Sequence, residues 1–311
     1  MKKQILIIGF LFVCMSLSAQ PVPFRPFDQM SDVARSEFFA ERYWDGFPFH
    51  DTTVLYTDGF RGQRDVFGDL NIYSGAIARY LQMIRFADLP TIQRSLAETL
   101  RRADTNERMY RQFVNSFDFF LNDANSQLRE EQWMVPIWQQ MLKSRWATFS
   151  DSAKINFGLR MAAKNPVGSI ATDLEFVTIQ GQRGRLSEIN AELILVYFYI
   201  PGCADCVRTL EFIRLDSAYQ ELIEAGILQG FAFYPGEDLN SFRSYRNTIP
   251  NTWINARNPD GMSQLDELGL YQMRGAPTMY LLDRDKRIIL KDARLDLLFN
   301  EFDKARERHL R

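Results

Sequence analysis

A long apolar run that ends at a proline-glycine pair constrains the fold more than any other feature of the sequence. Residues 193–200 are apolar nearly throughout, as expected of a central β-strand that is covered on both faces. Pro201 and Gly202 follow this run, and apolar residues at helical spacing resume over residues 207–219. The sequence therefore predicts a buried strand, a turn and a helix, in that order.

Two cysteines, Cys203 and Cys206, fall on the first turn of this predicted helix. The unpaired backbone N–H groups and the helix dipole at that place stabilise a thiolate. A residue three positions later lies one turn along the same face, so Cys206 could attack a mixed disulfide formed at Cys203. We therefore predict that Cys203 is the redox nucleophile and that Cys206 resolves the mixed disulfide.

Three other roles are open to the cysteine pair. A structural disulfide here would close a very short loop and so stabilise little. A zinc site needs about four ligands, but the other candidate ligands are His50 and His309, which are far apart in the sequence. A peroxide-reducing cysteine would require a threonine or serine three residues before it, but Ile200 stands at that position before Cys203. Redox exchange is favoured, and no metal is predicted.

The first residues of the chain have the pattern of a secretory signal peptide, predicted over residues 1–19. Two lysines precede an apolar run over residues 5–13. The small residues Ser18 and Ala19 then form the expected cleavage site. The run is shorter than the roughly 20 apolar residues of a membrane-spanning helix. Lipidation of Cys14 is the less favoured alternative, because Val13 precedes it. Cleavage would leave only Cys203 and Cys206, which suggests that this pair is itself functional.

From residue 167 onward, short β-rich runs alternate with helical stretches, which predicts an α/β sandwich around a mixed sheet. The predicted strands span residues 174–179, 192–200, 227–234, 252–257, 278–283 and 287–292. The predicted helices follow Cys203 and span about 238–246, 263–268 and 296–310.

Before residue 165 the apolar residues recur at three- and four-residue spacing, which predicts a mostly α-helical N-terminal domain over residues 20–164. Pro90 marks one helix start and Ser150 is the expected cap of the last helix. The expected boundary is the segment 165–168, which contains a proline and a glycine, and a second domain follows over residues 165–311. The predicted helices span residues 28–44, 72–86, 89–103, 106–121, 131–143 and 150–164.

Composition excludes one class of partner. The 37 basic and 39 acidic residues give a net charge of -2, so no electrostatic footprint for nucleic acid exists. Aromatic residues crowd the N-terminal segment 24–58, where they are expected to form core; a peptide- or glycan-binding groove is the alternative. His50 is expected to be structural.

The C-terminal sequence resembles the thioredoxin superfamily from about residue 167 to residue 311. The Cys203–Cys206 pair follows a buried strand, and Gly275, Ala276, Pro277 and Thr278 precede two strands joined at "RDK". The preceding segment has the order of exported TlpA-like thiol-disulfide oxidoreductases. If Pro277 is cis, the resemblance implies that Ala276, Pro277 and Thr278 bind an extended substrate segment beside Cys203.

The N-terminal region is similar to an uncharacterised helical domain that precedes thioredoxin-like modules in exported proteins of Gram-negative bacteria. That resemblance rests on the segment "RYWDGFPFHDTTVL" and on the helices after it. It implies no activity. Substrate selection, dimerisation and docking to a membrane reductase are all compatible with it.

Departures from the best-known thioredoxins bear on the expected chemistry. Tyr197 replaces a buried carboxylate and Gly202 replaces a tryptophan. Ala204 and Asp205 stand between the cysteines, so no imidazolium lowers the pKa of Cys203, and the Asp205 charge would raise it. We expect the pKa of Cys203 to lie near the thioredoxin value of about 7 or above it, and not near the value of about 3.5 of strong oxidants. A reductant or isomerase-type exchanger is therefore predicted.

The expected activity is periplasmic thiol-disulfide exchange with client proteins that carry thiols or disulfides. No nicotinamide or flavin motif is visible, so no cofactor beyond the Cys203–Cys206 disulfide is predicted. A membrane or periplasmic dithiol protein would supply the electrons. The alternative is a non-catalytic binding or scaffold protein with a thioredoxin-like platform, which the missing carboxylate and the large helical extension favour.

Overall fold

A helical region precedes residue 165 and a sheet region follows it. The computed structural model describes residues 29–56, 75–124, 126–259 and 269–310. The helical region contains α1 (Asp32–Arg42), α2 (Gly75–Ile84), α3 (Leu89–Ala103), α4 (Glu107–Phe117), α5 (Glu131–Met141) and α6 (Phe149–Ala163), with a 3-10 helix at Thr52–Tyr56 and a π-helical turn at Asp118–Asn122.

The sheet region alternates strands and helices, as the sequence predicts. Its strands are β1 (Glu175–Thr178), β2 (Arg183–Arg185), β3 (Leu193–Phe198), β4 (Leu228–Tyr234), β5 (Ile254–Arg257), β6 (Thr278–Asp283) and β7 (Ile288–Leu290). Its helices are α7 (Ala204–Leu215), α8 (Ser217–Glu224), α9 (Leu239–Ser244) and α10 (Leu295–His309), with a 3-10 turn at Leu186–Glu188. The predicted helix 263–268 and the signal peptide lie outside the described residues.

The seven strands form one mixed sheet in the order β2-β1-β5-β4-β3-β6-β7. The central strands β3, β4 and β5 run parallel to one another. Strand β6 runs antiparallel to β3, and β1 runs antiparallel to β5. The predicted buried strand β3 therefore lies inside the sheet, and every one of its residues is buried.

Alternation along β3 divides its side chains between two cores. Leu195 and Tyr197 face a core that also contains Cys206, together with residues of α7, α8 and α10. Val196 and Phe198 face a second core on the other side of the sheet. This two-residue period is the geometry of any β-strand. It places Tyr197 on the side of the sheet that carries the cysteines.

Two predicted helix boundaries are wrong. Thr148, and not Ser150, caps α6, because the Thr148 hydroxyl accepts a hydrogen bond from the Asp151 N–H while the Asp151 carboxylate accepts one from the Thr148 N–H. The single helix predicted over residues 207–219 is divided at Asp216, which has extended backbone angles and caps α8 through its carboxylate.

Aromatic side chains of the N-terminal segment lie in the core of the helical region, as predicted. Trp44 and Phe49 are both buried. The Trp44 ring lies 5.4 Å from the ring of Tyr80 and 5.2 Å from that of Phe113, in edge-on arrangements that aromatic pairs prefer. In the described part of this segment, these rings pack against other helices of the region.

The two regions meet at the C-terminal end of α6. Lys291, which follows β7, donates hydrogen bonds from its Nζ to the carbonyl oxygens of Met161 at 3.0 Å and Lys164 at 2.7 Å. A cation at this end of a helix neutralises its dipole and satisfies unpaired carbonyl groups. Asn165 donates to the carbonyl oxygen of Leu270 at 2.8 Å. The expected boundary segment is therefore tied to the sheet region.

None of the helices among the described residues combines the length and the apolar character needed to cross a bilayer.

Candidate active site

Cys203 caps the N-terminus of α7 with its sulfur. Its backbone is extended (φ -73°, ψ 114°), and its Sγ accepts a hydrogen bond from the backbone N–H of Cys206 at 3.1 Å. The side chain is partly exposed. An amide that points at a sulfur from the first turn of a helix stabilises the thiolate form. The strand and helix predicted around the cysteine pair therefore have the geometry that a reactive sulfur requires.

Cys206 lies behind Cys203 and is 1% exposed. Both cysteines are free thiols. Burial raises the pKa of the Cys206 thiol well above its usual range, and a hydrogen bond with Cys203 raises it further. Cys206 therefore stays protonated when the pair is reduced, which leaves Cys203 as the accessible sulfur.

We expect iodoacetamide to alkylate Cys203 much faster than Cys206 in the reduced native protein. Only a thiolate reacts, and burial opposes both thiolate formation at Cys206 and access to it, so the rates should differ about 10²-fold near pH 8. Mass spectrometry of the cysteine-containing peptides gives both rates. The control is the protein in guanidinium chloride, where the two rates should converge. Equal rates in the native protein would contradict this arrangement.

The loop before β6 lies directly against Cys203, although 73 residues separate them. The peptide bond between Ala276 and Pro277 is cis. The Cys203 thiol donates a hydrogen bond to the Ala276 carbonyl oxygen at 3.4 Å. Thr278 is buried, and its hydroxyl donates to the Gly275 carbonyl oxygen at 2.7 Å. The structure thus brings the predicted site residues Cys203, Cys206, Ala276, Pro277 and Thr278 together.

Tyr197 occupies the position at which the best-known thioredoxins have a buried carboxylate. Its hydroxyl donates a hydrogen bond to the Cys206 carbonyl oxygen at 2.6 Å. Burial raises the pKa of Tyr197, and the nearby cysteines raise it further. This phenol therefore remains neutral and acts as a hydrogen-bond donor that fixes the first turn of α7.

A second tyrosine, Tyr245, also lies near the cysteines. Its ring stacks on Tyr199 at 5.3 Å, and its buried hydroxyl has no hydrogen-bond partner among the described residues. Burial, followed by the charges of Cys206 and Cys203, raises the pKa of Tyr245 to about 12. The environment behind the sulfurs is thus aromatic and neutral.

The charge between the two cysteines is partly compensated. The Asp205 carboxylate is exposed and forms an ion pair with Arg208 one turn along α7. No hydrogen bond from either sulfur to a carboxylate or a histidine occurs within the described ranges of the chain.

The sequence did not identify a contribution of the helical region to this site. Glu131, at the start of α5, forms an ion pair with Arg274, just before the Ala276–Pro277 loop, at 2.5 Å. A Cβ placed on Gly275 would lie 3.1 Å from the Cβ of Ala124. No local sequence pattern could have predicted these contacts, because 143 residues separate Glu131 from Arg274.

Comparisons with known proteins point to two components in this chain. Residues 16–165 match a family model described as a domain of unknown function, DUF5106. A search of curated proteins gave no match. The crystal structure of a thioredoxin-like protein from Bacteroides caccae is similar, with 26% sequence identity and a TM-score of 0.79 over 91% of this chain and 97% of that one.

Two shorter solved structures match the C-terminal part. A conserved protein of unknown function from Bacteroides fragilis has 32% identity and a TM-score of 0.42, over 44% of this chain and 98% of its own. The thioredoxin domain of a thiol-disulfide oxidoreductase from Bacteroides vulgatus has 20% identity and a TM-score of 0.38, over 45% of this chain and 97% of its own. The likeness to the Bacteroides caccae protein confirms the α/β thioredoxin-like fold class predicted for the C-terminal part.

Proposed function

We propose that this chain, which carries a DUF5106 domain and a C-terminal part with a thioredoxin-like fold, is an exported thiol-disulfide oxidoreductase. The observation that carries the proposal is the position of the Cys203 sulfur. It accepts a hydrogen bond from the Cys206 amide at 3.1 Å and lies 3.4 Å from the Ala276 carbonyl oxygen. A thiolate stabilised by a helix start can thus meet an extended segment that pairs with the loop.

The proposed reaction moves two electrons from the cysteine pair to a client disulfide. The Cys203 thiolate attacks one client sulfur, so the client S–S bond breaks and the other client sulfur leaves as a thiolate. Cys206 then transfers its proton to water or to the client thiolate released in the first step, and its sulfur attacks Cys203. The Cys203–Cys206 disulfide forms, and the first client sulfur departs as a thiolate. This chemistry uses only the two sulfurs and no bound cofactor.

We propose that the chain acts as a reductant or isomerase and not as a strong oxidant. Strong oxidants owe their potential to a greatly stabilised thiolate in the reduced form. Here Asp205 places a carboxylate next to Cys203, and no imidazolium stands between the cysteines. A dithiol donor in the periplasm or its membrane would reduce the Cys203–Cys206 disulfide again. We propose that cleavage of the predicted signal peptide near residue 19 releases the protein into that compartment.

The proposed activity predicts that the mature protein accelerates the reduction of insulin by dithiothreitol at least about tenfold, because the Cys203 thiolate attacks insulin disulfides faster than the free reagent does. Precipitation of the insulin B chain measures the rate. The control is the same protein after carboxymethylation of its thiols. If the two preparations are equally inactive with several dithiol donors, the chain is a binding or scaffold protein instead.

A further inference from the structure

A cavity of about 730 Å³ lies beside the proposed active site and has walls from both regions of the protein. The sheet region contributes Asp205 and Thr209 of α7 and the loop that contains Ala276 and Pro277. The helical region contributes Ala124, Ser126, Gln127 and Arg129, which precede α5. We call these four residues the helical wall.

The helical wall and the loop are in direct contact. A Cβ on Gly275 would approach the Ala124 Cβ to 3.1 Å, which is tighter than most side-chain contacts. The neighbour of Gly275 is Ala276, whose carbonyl oxygen accepts the hydrogen bond from Cys203. A segment bound along Ala276 would therefore run past the helical wall within a few residues of its cysteine.

Ion pairs with little solvent exposure hold the helical wall in place. The Arg129 Nε lies 3.1 Å from the Asp292 carboxylate, and Arg129 also donates to the Asp292 carbonyl oxygen at 3.0 Å. The carboxylate of Glu131 lies 2.5 Å from both Arg274 and Lys291. Between 7% and 16% of each of these side chains is exposed. Movement of any one of these side chains would cost free energy, because it would leave its partner buried without a counter-charge.

Each charged side chain that lines the cavity already forms an ion pair. Arg129 pairs with Asp292, and Arg274 pairs with Glu131. Gln127 is exposed and offers an uncharged amide that can both donate and accept hydrogen bonds. The cavity therefore favours an occupant that is polar and uncharged over one that would compete for these ion pairs.

On the premise that the chain exchanges disulfides as proposed above, we propose that the helical wall forms the second side of the client-binding groove. The occupant is an extended polypeptide segment whose cysteine reaches Cys203 and whose flanking residues are polar and uncharged. The backbone of Ala276 pairs with this segment in the manner of strand addition. Gln127 contacts its flanking side chains, so the helical region selects the client.

A trapped adduct tests this proposal. The Cys206→Ser variant is treated with a serine- and glutamine-rich decapeptide that contains a central cysteine activated as its thionitrobenzoate disulfide. Cys203 attacks the peptide sulfur, thionitrobenzoate leaves, and the mixed disulfide persists. The reference adduct carries a single cysteine in place of the peptide. Hydrogen exchange of the amides of residues 126–129 should slow roughly tenfold in the peptide adduct relative to the reference.

Two matched substitutions sharpen the test. Gln127→Trp, made in the Cys206→Ser background, should lower the rate of peptide capture about tenfold relative to cysteine capture, because the larger ring obstructs the groove. Gln139→Trp, on an exposed face of α5 away from the cavity, should leave that ratio unchanged. A peptide flanked by glutamates or lysines should be captured more slowly than the uncharged peptide.

Each result has a distinct meaning. Slowed exchange at residues 126–129 and a selective effect of Gln127→Trp support the proposal. The role of the helical wall is overturned, while the proposed function stands, if both the peptide and the cysteine probe release thionitrobenzoate but hydrogen exchange at residues 126–129 is not slowed. Equal effects of Gln127→Trp and Gln139→Trp on peptide capture overturn it as well. Equal capture of charged and uncharged peptides overturns the assigned client chemistry. If neither probe releases thionitrobenzoate, the proposed function itself fails, and the client groove with it.

Discussion

Replacement of Cys203 by serine is expected to lower insulin reduction at least about tenfold, to the rate without protein, because the first attack requires an accessible thiolate. Cys206 cannot replace it: its thiol is 1% exposed, and burial raises its pKa. The two sulfurs thus differ in solvent exposure, with Cys203 partly exposed and Cys206 buried. The insulin assay with dithiothreitol as the donor measures the loss.

Replacement of Cys206 by serine should give a different defect. Cys203 still accepts the hydrogen bond from the backbone N–H at position 206, which does not depend on the side chain. Capture of a client should therefore continue, whereas release should stop, because a serine hydroxyl does not resolve a disulfide. Non-reducing electrophoresis should show a mixed disulfide with the client that dithiothreitol cleaves.

The two serine variants serve as controls for one another. Cys203→Ser should form no mixed disulfide, and both variants should unfold at the same urea concentration as the reduced wild-type protein. A mixed disulfide that accumulates in Cys203→Ser and not in Cys206→Ser would reverse the assigned roles. Wild-type turnover by Cys206→Ser would show that release does not depend on this residue.

The sequence predicts the surroundings of the cysteines well because the signals there are local. The apolar run of β3, the Pro201–Gly202 turn and the helical spacing after Cys203 lie in one continuous stretch. The hydrogen bond from the Cys206 amide to the Cys203 sulfur then follows from the geometry of a helix start. The contact with Ala276 could be anticipated only through the resemblance to a family, because β6 is far away in the sequence.

Choices between near-equivalent local signals were less predictable. Thr148 and Ser150 can both cap a helix, and the reciprocal bond between Thr148 and Asp151 decides the start of α6. In the same way, Asp216 interrupts an apolar pattern that continues through it. Its carboxylate accepts a hydrogen bond from the Tyr219 N–H at 2.8 Å, which stabilises the start of α8.

The contact between the helical region and the loop was not predictable. Charged residues make up 24% of the chain, so the sequence offers many possible partners for Arg274. The pairing with Glu131 depends on how two regions dock, and no periodicity encodes it. Burial distinguishes this pair from the exposed ion pairs within single helices, such as Glu98 with Arg101. Only the three-dimensional structure supplies that distinction.

Glu131→Gln is therefore expected to lower the free energy of unfolding by about 3–5 kcal/mol, although glutamine has nearly the same size as glutamate. The substitution leaves Arg274 and Lys291 buried without the carboxylate that lies 2.5 Å from each. Asp292 lies 3.7 Å from Arg274 and compensates only part of this loss. Urea unfolding followed by circular dichroism measures the change.

Glu98→Gln is the matched control for this substitution. Glu98 also pairs with an arginine, at 2.6 Å, but 52% of its side chain and 62% of that of Arg101 are exposed. Water and salt screen such a pair, so its loss should cost no more than about 0.5 kcal/mol. A loss at Glu131 as small as that at Glu98 would show that the buried cluster does not join the two regions.

The shape of the unfolding curve adds a second test of the cluster around Glu131. If these ion pairs couple the two regions, the wild-type protein should unfold in one transition and Glu131→Gln in two, because each region has its own core. The helical wall directly precedes α5, so its amides should also exchange faster in the variant. Loss of the ion pairs of Glu131 would then make the helical wall next to Ala276 more mobile without altering either cysteine.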